Sequence, residues 1–231
     1  MPDTLSFTLT NGIGHIELCS PPANRMTGDF FSEFHELVDE LKVMKDLKAI
    51  VISGKGRHFS SGADLEELLG STSEMNKTNE KDVKKRWEEG SENNYNSFLF
   101  FETLEIPVIA AIRGVCIGSA FELALFSHFR FCGEDAVMGL PETTFNLMPG
   151  LGGIGKIAEL CGQSKAVELV LKGSTFGAEE AKMNHLVDRI VPRRQVVEFS
   201  MAFARNVMKN YKKQKYAFYL NQISTDEPFA N

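Results

Sequence analysis

A 21-residue apolar stretch, from Ile106 to Phe126, places the strongest constraint on the fold of this chain. Its length would suit a membrane-spanning helix, which needs about 20 apolar residues. Five residues within it disfavour such a span: Pro107, Arg113, Gly114, Gly118 and Glu122. The proline and the glycines instead predict a buried strand, a turn and a buried helix. We therefore expect this stretch to lie inside a globular domain and not in a membrane.

The remaining hydrophobic patterns predict alternating strands and helices. Alternation on both sides of Asn11-Gly12 is typical of a β-hairpin. Thr27 precedes apolar residues that recur every three or four positions, which predicts a capped helix. Residues 49–53 predict a short buried strand, and the chain from Gly155 onward is mainly helical in pattern. Together these segments predict a single α/β domain.

Composition excludes several classes of protein. The 231 residues are 43% hydrophobic and 24% charged, which is ordinary for a globular chain. A net charge of −6 argues against a broad nucleic-acid surface. The four cysteines lie far apart, without CxxC pairs or histidines at zinc spacing. The first residues lead directly into an alternating segment, so we expect no signal peptide. We expect a cytoplasmic protein with reduced thiols, no metal, no nucleic-acid partner and no membrane partner.

One segment differs in composition from the rest. Residues 70–96 are rich in Ser, Glu, Lys and Asn. Such a stretch buries little apolar surface, and its charges are typical of a solvated face. We predict a mobile, partly helical insertion here.

Three segments carry a more specific pattern. The first, from Gly56 to Leu65, has the form G-x-x-F-x-x-G-A-D-L. The second starts as P-V-I-A-A at Pro107 and continues through the loop Gly118-Ser119-Ala120 into Glu122. The third is Pro141-Glu142 followed by P-x-x-G-G at residues 149–153. In order and spacing, the three segments resemble the crotonase (enoyl-CoA hydratase/isomerase) superfamily.

The resemblance implies the overall organisation of the chain. It implies a crotonase-type α/β fold, a ββα superhelical spiral with a helical C-terminal region. It implies a thioester-binding core at residues 1–195 and a C-terminal helical segment at 196–231, shorter than usual for the family. No prosthetic group is implied, since coenzyme A, or an acyl carrier protein, carries the substrate's acyl group. The implied assembly is a homotrimer or a dimer of trimers.

The same resemblance assigns two backbone amides to the substrate carbonyl. A thioester oxygen that gains negative charge needs preorganised N–H donors, each worth about 2.7–4 kcal/mol. Matching to the family places these donors at Ala63 and Ser119. Taken alone, Gly62 and Gly118 would predict only tight turns. The loop at residues 118–120 replaces the family's common triple glycine, and its added Cβ atoms narrow the space beside the thioester.

Two glutamates match the acid–base pair of the family's hydratases. By resemblance, Glu142 is the main acid–base group and Glu122 helps to hold the water. Read singly, Glu122 would be a helix-start carboxylate and Glu142 a solvated loop acid. Gly150 stands where members that shift dienes or hydrolyse 3-hydroxyisobutyryl thioesters have an aspartate, which argues against both activities.

The leading prediction is therefore reversible hydration of a 2-enoyl thioester to a 3-hydroxyacyl thioester. Two alternatives stay open: a double-bond isomerase that needs one glutamate, and a catalytically weak subunit that binds acyl thioesters.

Arg25 is a candidate phosphate partner by its charge. The resemblance implies that the substrate and CoA contacts are Ala23, Asn24, Arg25, Met26, Ser61, Gly62, Ala63, Asp64, Leu65, Gly118, Ser119, Pro141 and Gly150.

Overall fold

The computed structural model describes residues 4–64 and 80–210, with nine strands and seven α-helices in that part of the chain. The strands are β1 (Leu5–Thr10), β2 (Ile13–Leu18), β3 (Ala49–Gly54), β4 (Val108–Ile112), β5 (Val115–Ile117), β6 (Phe129–Gly133), β7 (Val137–Gly139), β8 (Phe176–Gly177) and β9 (Arg189–Val191). The helices are α1 (Gly28–Val43), α2 (Glu80–Thr103), α3 (Ser119–Leu125), α4 (Gly153–Cys161), α5 (Gln163–Lys172), α6 (Ala178–Met183) and α7 (Val196–Asn210). Short 3₁₀ turns occupy Pro141–Phe145 and Arg193–Gln195.

A six-stranded sheet forms the centre of the fold, in the order β1-β2-β3-β4-β6-β9. The β1–β2 hairpin is antiparallel, and every other neighbouring pair in this sheet is parallel. Strands β5, β7 and β8 form a second, smaller sheet. Every residue of β3 and β4 is buried. Helices therefore cover both faces of the large sheet, as the continuous apolar runs of its strands require.

Alternate residues of β3 supply two separate hydrophobic clusters. Ile50 and Ile52 belong to the larger one, where α1 and α2 pack through an aromatic group around Phe34. The Phe34 ring lies 5.3 Å from that of Phe30 and 5.8 Å from that of Phe98. On the opposite face, α7 packs on the sheet through aromatic contacts to Phe131 at 4.9 and 5.2 Å.

The structure confirms the α/β class and most of the local predictions. The hairpin forms in register from Leu5 opposite Leu18 to Thr10 opposite Ile13. The Thr27 side chain caps α1 by accepting a hydrogen bond from the amide of Phe30. Part of the predicted insertion is indeed helical, as residues 80–96 belong to α2, while residues 65–79 lie outside the described residues. The division of the chain at residue 195 stays a prediction.

Two isolated β-bridges bring distant segments of the chain together beside the large sheet. Met26 forms a parallel bridge with Ala63, and Ser60 forms one with Cys116. Consequently the loop before α1, the loop after β3 and the loop before α3 meet in one place. A bilayer-crossing helix is absent from residues 4–64 and 80–210, since none of the helices there is both long and apolar enough.

Candidate active site

A cavity of about 810 Å³ opens where these loops meet. Its walls come from the loop after β3, the start of α3, the segment at 141–151 and one side of α2. Most of the surface is apolar, and the large apolar lining residues are Phe31, Ile117, Phe145, Leu147, Met148, Pro149 and Leu151. A largely apolar cavity with a few converging polar groups is the usual form of a small-molecule site.

Two backbone amides beside the cavity have no hydrogen-bond acceptor among the described residues. In the bridge with Met26, the flanking Gly62 carbonyl and Asp64 amide make the hydrogen bonds. The amide of Ala63 therefore points away from Met26, as the alternation of an extended strand requires. Ser119 is the first residue of α3, where helical amides have no partner within the helix. No described residue accepts a hydrogen bond from either amide, and both residues line the cavity.

Glycines allow the two amide-bearing loops to approach each other. A Cβ at Gly62 would lie 2.5 Å from the carbonyl oxygen of Ile117, and its φ of +79° is one that L-residues rarely adopt. A Cβ at Gly118 would lie 3.0 Å from Oε1 of Glu142. Any larger residue at Gly62 would therefore push the two loops apart, which would separate the two amides.

Glu122 is fixed inside the cavity wall. It lies in the first turn of α3, and only 1% of its surface is exposed. Its Oε1 accepts hydrogen bonds from the amides of Leu151 and Gly153, both at 2.9 Å. The pKa of Glu122 is raised to about 7. Burial is the main cause, the nearby Glu142 carboxyl acts in the same direction, and the two amide hydrogen bonds act against both.

Glu142 also lines the cavity and lies in the 3₁₀ turn that follows β7. Burial raises the pKa of its carboxyl above the ordinary value. Its Oε2 is buried and has no hydrogen-bond partner among the described residues. A buried carboxyl oxygen without a partner costs free energy unless a ligand or water occupies the cavity.

These groups define what the cavity can do chemically. Two converging N–H donors can stabilise an oxyanion. Two carboxyl groups whose pKa values are raised by burial can hold and exchange protons. The polar groups therefore suit a substrate whose carbonyl gains charge while a neighbouring carbon gains or loses a proton.

The structure brings most of the predicted site residues to this cavity. The predicted residues that line it are Arg25, Ser61, Ala63, Asp64, Gly118, Ser119, Glu122, Pro141, Glu142 and Gly150. Ala23, Asn24, Met26 and Gly62 are not among the residues that line it. Leu65 lies outside the described residues. The functional roles of all these residues stay predictions.

Asn24 and Met26 support the wall of the cavity from behind. Nδ2 of Asn24 lies within 2.9–3.1 Å of three backbone carbonyl oxygens in the loop after β3, and the residue is 1% exposed. Met26 is equally buried in the core. These two side chains hold the loop that carries Arg25. Nη1 of Arg25 lies 2.7 Å from Oδ2 of Asp64, and its side chain is 57% exposed beside the cavity.

Sequence reasoning missed several residues of the site. Phe31 falls within the apolar helical spacing of α1, which is typical of a core residue, but its ring is half-buried and lines the cavity. Helix α2 contributes Gly90, Ser91 and Asn94 from the segment predicted as an insertion. The amides that hold Glu122 come from a loop about 30 residues further along the chain. No local sequence pattern signals a contact of this kind.

Comparisons with known proteins give consistent results. A family model described as enoyl-CoA hydratase/isomerase matches residues 8–223. The alpha subunit of the fatty acid oxidation complex of Shewanella loihica is 34% identical over 217 residues, which are 88% of this chain and 29% of that subunit. The chain thus spans less than a third of that relative's length.

Solved structures share the fold. The enoyl-CoA hydratase of Bacillus anthracis matches with a TM-score of 0.83 and 28% identity, over 96% of this chain and 83% of that one. A proposed enoyl-CoA hydratase of Thermobifida fusca, solved in complex with CoA, matches with a TM-score of 0.81 and 26% identity, over 94% and 83% of the two chains.

Proposed function

Because the chain belongs to the enoyl-CoA hydratase/isomerase family, we propose that it adds water reversibly to a 2-enoyl-CoA thioester. Family membership confirms the resemblance seen in the sequence, and the fold is that of the crotonase-type hydratases. The family acts on CoA thioesters without a prosthetic group. The particular reaction and the roles of individual residues are the content of the proposal.

The first step is binding of the thioester carbonyl between two amides. The oxygen accepts hydrogen bonds from the N–H groups of Ala63 and Ser119, which both face the cavity without a described protein acceptor. As the carbonyl gains enolate character, these bonds strengthen. Each donor of this kind stabilises the transition state by about 2.7–4 kcal/mol. The helix start at Ser119 adds a partial positive charge in the same direction.

The second step is addition of water across the double bond. The water oxygen bonds to C3, one O–H bond breaks, and C2 gains a proton. Glu142 exchanges the protons, because its Oε2 is buried without a described partner and so can bind a water or substrate proton. Glu122 holds the water, because two amides fix its carboxyl against the cavity wall.

One observation favours hydration over isomerisation. Both Glu122 and Glu142 line one cavity, and burial raises the pKa of each. A double-bond shift moves one proton between two carbons, and a single carboxylate suffices for it. A second buried carboxyl group, fixed by two hydrogen bonds, has a clear use when a water must be oriented as well.

The CoA portion would leave the cavity past Arg25 and Asp64. Arg25 carries the exposed positive charge at this side of the cavity and can approach a phosphate group. A fold relative solved with bound CoA supports CoA as the carrier. We further propose the homotrimer, or dimer of trimers, that the family resemblance implies.

The decisive experiment follows the ultraviolet absorbance of crotonyl-CoA, since hydration removes the conjugated enoyl band. We expect wild-type protein to remove it and Glu142→Gln to slow this reaction by about 10²–10⁴-fold, the usual contribution of a general acid–base group. Glu40→Gln is the matched control, because Glu40 is exposed on α1, and its rate should equal the wild-type rate. An unchanged rate in Glu142→Gln would refute the proposed role.

A second substrate separates the alternatives. With a 3-enoyl-CoA, an isomerase should form the conjugated band and retain most of its rate in Glu122→Gln, whereas a hydratase should lose crotonyl-CoA turnover in the same variant. A protein that binds acyl-CoA and converts neither substrate would be a binding subunit.

A further inference from the structure

A second cavity, of about 300 Å³, lies apart from the candidate active site. Its lining is Gly56, Arg113, Arg193 and Arg194, and none of these residues lines the larger cavity. The proposed hydration uses none of them. A surface with three arginines is unexpected in a protein with a net charge of −6.

The three arginines converge because of the sheet topology. Gly56 follows β3, Arg113 follows β4, and Arg193 follows β9. These strands are parallel members of one sheet, so their carboxyl ends meet at the same edge. In open α/β sheets, the crevice outside the carboxyl ends of the strands is the usual place for ligands.

The guanidinium of Arg113 is fixed and only partly satisfied. Its Nη2 donates a hydrogen bond to the carbonyl oxygen of Gly54 at 2.8 Å. Its Nε is buried and has no hydrogen-bond partner among the described residues. A buried N–H without an acceptor is costly, and an anion in the cavity would remove that cost.

Among the described residues, one of the three arginines is paired with a carboxylate. Nε of Arg193 lies 2.9 Å from Oδ2 of Asp135. Among the described residues, no carboxylate forms an ion pair with Arg113 or with Arg194. The cavity therefore presents two guanidinium groups that no carboxylate of the described residues pairs with, and together they match an anion of charge −2.

We propose that this cavity binds a phosphate dianion, either inorganic phosphate or the terminal phosphate of a phosphomonoester. Arginine presents planar N–H pairs that suit phosphate oxygens. Gly56 leaves the space beside it open, since no atom lies within 4 Å of where its Cβ would be. The site is independent of the proposed hydration, so either proposal can fail without the other.

The test is isothermal titration calorimetry on the full chain with inorganic phosphate. We expect a dissociation constant on the order of 1 mM or below for the wild type. Arg113→Gln should weaken binding by about tenfold or more, because it removes charge-assisted hydrogen bonds. Arg194→Gln should weaken binding as well, and because Arg194 is exposed, this variant should keep the fold if Arg113→Gln does not.

Arg205→Gln is the matched control, because it removes one positive charge from an exposed position on α7. It should bind phosphate like the wild type. Absence of phosphate binding by the wild type would overturn the proposal, and so would equal weakening in Arg194→Gln and Arg205→Gln.

Adenosine 3′,5′-bisphosphate distinguishes the two sources of the phosphate group. If this compound binds more tightly than phosphate, and Arg194→Gln loses that binding, the ligand of the cavity is a phosphomonoester. If it binds equally or more weakly, the ligand is inorganic phosphate.

Discussion

Replacement of Glu122 by glutamine should change how the stability of the protein depends on pH. Burial raises the pKa of Glu122 from its ordinary value of 4.5 to about 7 in the folded protein. The unfolded chain exposes this carboxyl to water, where it keeps an ordinary pKa. Between pH 4.5 and 7 the folded protein therefore binds more protons than the unfolded chain, so the free energy of unfolding falls as the pH rises.

The size of the effect follows from the two pKa values. At 1.36 kcal/mol per pKa unit, the full difference is about 3 kcal/mol, present below pH 4.5 and lost as the pH rises through about 7. Between pH 5 and pH 8 the expected loss is about 2.5 kcal/mol. Glutamine at this position cannot ionise, and its Oε1 can still accept the hydrogen bonds of Leu151 and Gly153.

Urea unfolding at pH 5 and pH 8, at one protein concentration, measures this effect. The quantity of interest is the wild-type free energy of unfolding minus that of Glu122→Gln, because all other titrating groups cancel in the difference. We expect it to be about 2.5 kcal/mol lower at pH 8, a change of about 1 M in the relative urea midpoints. Glu40→Gln, at an exposed site, should show no such trend. If this difference in unfolding free energy is the same at pH 5 and pH 8, the two amide hydrogen bonds offset or outweigh the effect of burial on the pKa of Glu122. If the difference is larger at pH 8, the raised pKa assigned to this group is wrong.

Three further substitutions test the geometry. Gly153→Ala places a Cβ 2.6 Å from Cγ of Glu122, so crotonyl-CoA hydration should fall by about 100-fold or more as the carboxyl is displaced. Asn24→Ala removes a side chain placed against three carbonyl oxygens, and urea unfolding should show a loss of about 2–3 kcal/mol. Phe34→Ala empties a fully buried site, and the same measurement should show a loss of about 3–5 kcal/mol.

Matched control substitutions are available for Gly153→Ala and Phe34→Ala. Gly155 lies in α4 with no atom within 4 Å of an added Cβ, so Gly155→Ala should leave the hydration rate unchanged. Phe145 is 47% exposed, so Phe145→Ala should cost less than about 1 kcal/mol. Equal rates in the two glycine variants, equal losses in the two phenylalanine variants, or a fully stable Asn24→Ala would each contradict the structure.

Local patterns in the sequence predicted the strands and helices whose formation depends mainly on residues close together in the chain. Strand alternation predicted the hairpin, and the spacing after Thr27 predicted α1 and its cap. The hairpin and α1 were predicted correctly because each rests on residues whose pattern is fixed by a period or by a turn. The resemblance of three segments to a known family, and not a local pattern, implied that Ala63, Ser119, Glu122 and Glu142 would share one site, and all four line one cavity.

Contacts between distant segments could not be predicted in this way. Helical spacing shows which side of α1 is apolar, but it cannot show that Phe31 faces a cavity while Phe34 faces the core. The polar composition of α2 hid its role as a cavity wall, because its packing depends on a few aromatic residues such as Phe98. Tertiary packing decides both cases.

The three segments that identified the family contact one another so closely that glycine is required at the points of contact. A Cβ at Gly62 in the first segment would collide with the carbonyl of Ile117 in the second. A Cβ at Gly153 in the third would collide with Glu122, which belongs to the second. Each glycine is therefore needed where one segment contacts a functional group or backbone of another. The amides and the carboxyl groups can reach one cavity only if all three segments approach this closely, and this requirement explains why the segments are informative together and weak when taken singly.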